Sequence, residues 1–119
     1  MSGAAWALLV LLVPFPPTGP LWAAPAEDPT LLPGTDRPVP PPDDAGPEER
    51  ADYWFRLGRH LGEREEDYLG AAAAFERSIA IIRTSEALYN RAVAYDAADR
   101  PLDAIAAFED YAAEVGAES

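Results

Sequence analysis

Beyond residue 47 the apolar positions recur at helical spacing, and polar residues or helix breakers separate four such runs. Pro47 opens the first run, with Glu48 and Glu49 beside the positive end of the helix dipole. Trp54, Leu57, Gly58 and Leu61 then fall at i, i+3, i+4 and i+7, one face of a helix that Gly62 is expected to close. A polar loop, residues 63–67, ends on Asp67, which can cap a second helix from Tyr68 to about Arg83. There Ala71 to Ala74 present almost no bulk, so two helix axes can approach, and Phe75, Ile79 and Ile82 fill the space beside them. Thr84 or Ser85 caps a third helix with Leu88, Ala92 and Tyr95 on one stripe. Asp99 stands where the chain must reverse, and Asp tolerates the left-handed conformation that reversal needs. Pro101 opens a fourth helix whose apolar side is Ala104, Ile105, Phe108, Tyr111, Ala112 and Val115, with Gly116 as its expected stop. No strand pattern interrupts these runs. The expectation is an all-α domain over residues 48–116.

The chain before it reads differently. Residues 1–26 carry no ionisable side chain, and Ala4 to Phe15 is an apolar run of signal-core length, too short to span a bilayer unaided. Ala24-Pro25-Ala26 fits a small-x-small cleavage site, so residues 1–26 are expected to be an export signal, or an N-terminal anchor if uncleaved. Seven of the 21 residues from 27 to 47 are Pro. That composition predicts a disordered, acidic, semi-rigid spacer with little apolar surface to offset the entropy of ordering it.

Charge narrows the partners. The net charge of −12 lies entirely after residue 26, so duplex nucleic acid and anionic membrane surfaces are repelled. There is no Cys, which excludes a disulfide framework, a thiolate metal site and a cysteine nucleophile.

The second and fourth helices carry a copied run. Ala71-Ala-Ala-Ala-Phe75-Glu76 is echoed by Ala104-Ile-Ala-Ala-Phe108-Glu109, an offset of 33 residues, which is a period of stacked helical repeats. With it goes a bulky residue, then Leu-Gly, then a second large residue in the first helix. In this, residues 51–115 resemble tetratricopeptide repeats. Trp54, Leu57, Gly58 and Leu61 match the first-helix signature, with Leu61 where the family usually has Tyr. Ala71, Phe75 and Ser78 match the second helix, after one extra residue in the loop. Leu88, Ala92 and Tyr95 match the next first helix, although Arg91 replaces the usual Leu, and Ala104, Phe108 and Tyr111 match the helix after it.

The resemblance implies two antiparallel helix pairs, about 51–84 and 85–116, stacked as a short right-handed superhelix. Its first helices would line a concave groove for an extended peptide or a partner helix. Carried over by position, the groove would be lined by Phe55, Arg59, Tyr89, Asn90, Val93 and Asp96. The family's known carboxylate-gripping mode needs Lys and Asn where this chain has Phe55 and Arg59. Only Asn90 matches, so carboxylate capture is not expected. Signal, Pro-rich spacer and a few repeats together resemble a common bacterial type, which implies a periplasmic or envelope location.

Catalytic chemistry finds no foothold in the pattern. His60 is the only His and has no nucleophile at useful spacing. Glu63, Glu65, Glu66 and Asp67 lack the order of an EF-hand and read as a solvated loop. No cofactor or metal is expected, and the chain reads as a non-enzymatic protein-interaction module. The alternatives are a self-associating envelope scaffold, joined through the open face of the last helix, and a remnant of a longer repeat protein.

Overall fold

A computed structural model describes residues 28–118; the expected signal segment, residues 1–26, lies outside them. Four helices follow one another: α1 (Pro47–Glu63), α2 (Tyr68–Ile81), α3 (Ser85–Ala97) and α4 (Pro101–Glu118). The architecture is all-α, and among the described residues there is no strand, only one isolated antiparallel bridge between Leu31 and Pro38. Each helix packs against its predecessor: α1 on α2, α2 on α3, α3 on α4.

Local chemistry sets the boundaries. Pro47 takes the first position of α1, where its missing N–H costs nothing, and Glu48 and Glu49 occupy the first turn. Asp67 caps α2 by accepting a bond from the Gly70 amide at 2.9 Å. Thr84 caps α3 by accepting one from the Ala87 amide at 3.2 Å. Asp99 does adopt the left-handed conformation, with φ 58°, and Pro101 starts α4 directly afterwards. Three expected ends move: α1 continues through Gly62 to Glu63. α2 stops at Ile81, because Ile82 is already extended at φ −137°. α4 runs through Gly116 to Glu118: the left-handed turn that a terminating glycine supplies is not made there.

The core is built mostly from small residues. Ala71, Ala72, Ala74, Ala87, Ala92, Ala104 and Ala107 are all buried, and Leu57, Leu61, Phe75 and Leu88 fill the volume between them. Gly58 explains how α1 and α2 come so close: a Cβ there would sit 2.7 Å from the Phe75 ring. Ser78 on α2 donates to the Ala51 carbonyl on α1 at 2.9 Å, which satisfies a buried hydroxyl across the same contact. Trp54 is covered by the Arg77 guanidinium, 4.6 Å from the ring centroid.

The Pro-rich segment corrects the expectation of a disordered spacer. Residues 28–46 turn back on themselves and lie along α1. The Leu32 amide donates to the Arg37 carbonyl at 2.7 Å and the Val39 amide to the Thr30 carbonyl at 2.9 Å. Gly34, at φ 72°, makes the turn between them. Asp28 accepts from both the amide and the hydroxyl of Thr30, and these bonds hold its carboxyl below the usual range. Contacts to the helical part are polar: Arg56 donates to the Thr30 hydroxyl at 3.1 Å, Arg37 pairs with Glu65, and Arg64 with Asp36. Pro38 is buried. What composition alone misses is that Arg56 on α1 and Arg64 and Glu65 just after it hold the segment in place.

Candidate functional site

The six residues expected to line a groove divide into two groups. Arg59, Asn90 and Val93 come together around a recess of about 240 Å³ between α1 and α3. Its apolar lining includes Phe75, Ala71, Ala94 and Ala97, with Tyr68 beside them. Phe55 turns instead onto Phe75, with ring centroids 5.6 Å apart. Tyr89 packs at 6.1 Å on Phe108 and at 5.3 Å on Tyr111. Asp96 is exposed on α3 and takes no part in the recess. The aromatic pairs are themselves related: Phe55 with Phe75 recurs 34 and 33 residues later as Tyr89 with Phe108.

The rim of the recess has unspent hydrogen-bonding capacity. Asn90 donates its amide to the Glu86 carbonyl at 2.9 Å, which holds the side chain against α3 and leaves its Oδ1 as a free acceptor. Arg59 spends Nε on Glu63 at 3.2 Å, and its remaining N–H groups face solvent. One acceptor and several donors above an apolar floor suit a peptide backbone, whose N–H and C=O groups need both.

Sequence reasoning missed Tyr68, Ala94 and Ala97 in this lining. Ala94 is adjacent to Val93 and lies one turn beyond Asn90 on the same side of α3, which is the signal that points to it. Tyr68, as the first residue of α2, has a direction that depends on the preceding loop, where Glu66 has φ 54°.

Other polar side chains pair with one another away from the recess. His60 Nε2 lies 2.6 Å from Glu65 at the end of α1, and its Nδ1 is buried without a partner. Ser78 donates its hydroxyl to the Ala51 carbonyl inside the α1–α2 contact. Tyr95 donates to Glu76 at 2.6 Å, and this bond, with burial, pushes its phenol up to about 12. Arg91 reaches Asp110 on α4 at 2.9 Å, and Arg83 reaches Glu114 at 2.9 Å. Among the described residues no group of three acidic, His or Cys side chains is placed to hold a metal ion. No helix among them is long and apolar enough to cross a membrane.

No family model matches the chain, and neither a curated protein nor a solved structure is similar to it.

Proposed function

We propose that this chain is a non-enzymatic protein-interaction module of the tetratricopeptide type. It is exported to the bacterial cell envelope and takes an extended peptide or partner helix in the recess between α1 and α3. The two helix pairs then act as a short superhelical platform. The observation that carries this reading is the recess itself: Arg59, Asn90 and Val93 converge over an apolar floor made by Phe75 and Ala94. The echoed aromatic pairs support the repeat architecture, since each second helix sets its Phe against the same position of the helix before it. Export rests on the uncharged, apolar first 26 residues.

Selection of random displayed peptides on the full-length chain tests the reading. Sequences recovered from the selection should lose binding to the Val93→Arg variant, which fills the recess with a charged side chain. They should also weaken on Asn90→Ala. Recovery of no consistent sequence, or of sequences indifferent to both changes, overturns it.

A further inference from the structure

The outer flank of α4 differs from the same flank of α2 in one respect: among the described residues nothing covers it. The two helices carry the echoed run, so their positions can be compared directly. Ala72 is 1% exposed and its counterpart Ile105 is 55% exposed. Phe75 is 4% exposed and its counterpart Phe108 is 37% exposed. On α2 this flank is met by α3, which brings Ala94 and Tyr95 into the cluster around Ala72 and Phe75. Tyr95 also donates to Glu76. The counterpart of Glu76 is Glu109, which has no hydrogen-bond or ion-pair partner among the described residues. Leu102, 80% exposed, lies one turn before Ile105, and Val115, 39% exposed, lies two turns after Phe108.

We propose that this flank is a docking site for a basic amphipathic helix of another protein, one that sets a small-residue stripe on Ile105, Phe108 and Val115 and a Lys or Arg against Glu109. The shape follows from α3, which solves the equivalent problem on α2 with an Ala at the contact and a donor beside it. The charge follows from α4 itself. Pro101–Glu118 contains Asp103, Glu109, Asp110, Glu114 and Glu118 and no basic residue. Arg100, Arg91 and Arg83 neutralise Asp103, Asp110 and Glu114 from other elements, which leaves Glu109 unanswered beside the apolar strip.

A second copy is the poorer occupant on both available faces. Two α4 flanks face to face would bring two unanswered Glu109 carboxylates onto one interface, with no basic residue on either α4 to meet them. The opposite end of the molecule is already covered: residues 28–46 lie along α1 and engage Tyr53 and Arg56, so a neighbour's α1 cannot settle on α4 without displacing them.

Fluorescence anisotropy on the full-length chain tests the site, with a labelled 18-residue model helix carrying an Ala/Leu stripe and Lys elsewhere. The same composition scrambled, and a version with Glu in place of Lys, are the controls. The striped Lys helix should bind. Glu109→Lys and Ile105→Lys should each weaken it by about tenfold or more. Val93→Arg, which blocks the recess between α1 and α3, should leave it within about twofold, and this separates the flank from the recess. Glu109 is exposed, so its reversal keeps the test informative if Ile105→Lys lowers stability, which thermal circular dichroism reports. Equal binding of the scrambled peptide, or indifference to both α4 variants, overturns the site. So does sedimentation as a dimer that Ile105→Lys dissociates, which would make a second copy the occupant.

Discussion

The ring of Phe75 occupies the space that a side chain on Gly58 would need: a Cβ there would lie 2.7 Å from the ring edge and within 2.9 Å of two further ring atoms. The approach of α1 to α2 thus depends on the absence of one methyl group. Phe75 is a large, buried ring that also packs on Phe55, one turn before Gly58 on α1, so it has little freedom to withdraw. Gly58→Ala should therefore destabilise the domain. Overpacking costs about 1–3 kcal/mol, offset by about 1 kcal/mol of helix propensity. A net loss of about 1 kcal/mol lowers the melting temperature of a domain this small by several degrees. Adding Phe75→Leu should recover part of the loss. Thermal unfolding of the two single variants and the double variant measures the coupling, and strictly additive losses would count against the contact.

Ser78 and Thr84 should separate a buried bond from a helix cap. Ser78→Ala removes the bond to the Ala51 carbonyl inside the α1–α2 contact and should cost about 1 kcal/mol. Thr84→Ala removes the acceptor for the Ala87 amide and should cost about 1 kcal/mol as well. Thr84→Asp should retain the cap and most of the stability. Chemical denaturation checks all three, and a stable Thr84→Ala protein would show that α3 is held by packing alone.

These features were unequally visible in the sequence. Pro47, Thr84, Asp99 and Pro101 act on their own backbone within a few residues, so the starts of α1, α3 and α4 and the reversal before α4 are legible without tertiary information. Gly116 was misleading because a glycine ends a helix only if the chain turns there, and α4 simply continues. Arg59, Asn90 and Val93, grouped in the sequence only by the resemblance to the repeat family, line one recess. Phe55 and Tyr89 do not: each is a large ring with an aromatic neighbour on the next helix, and burial against that ring competes with pointing into the recess. The ordering of residues 28–46 was invisible for a similar reason, since it rests on Arg56 and Glu65, distant in sequence.

That segment gives a prediction of its own. The Leu32 and Val39 amides are bonded across the turn, so both should exchange with solvent more slowly than an unstructured reference peptide. Arg56→Ala removes the bond to Thr30 and should speed exchange at both amides while leaving α2 and α3 protected. Hydrogen exchange followed by mass spectrometry resolves the two regions. Reference-rate exchange at Leu32 and Val39 in the unmodified chain would show that the segment does not hold to α1 in solution.

Tyr95 should give the domain an alkaline limit. Its bond to Glu76 and its burial stabilise the protonated phenol, so its folded pKa, about 12, lies above the unbonded value of 10.0. From pH 10 to 12 the unfolded chain gives up this proton while the folded chain keeps it. The folded state then binds more protons than the unfolded one, and stability falls as pH rises through that window. Below pH 10 the contribution is fully present. Tyr95→Phe should remove this part of the alkaline decline and lower stability at neutral pH by about 0.5–1 kcal/mol, a modest figure because the pair is partly solvated. Glu76→Gln should keep an acceptor but remove the charge, and so bring the late phenol to lower pH. Ultraviolet titration of phenolate absorbance follows the group directly: one phase near pH 12, absent in Tyr95→Phe and shifted down in Glu76→Gln, is the expected result. A late phase that persists in Tyr95→Phe would assign it to another tyrosine and break the link to Glu76.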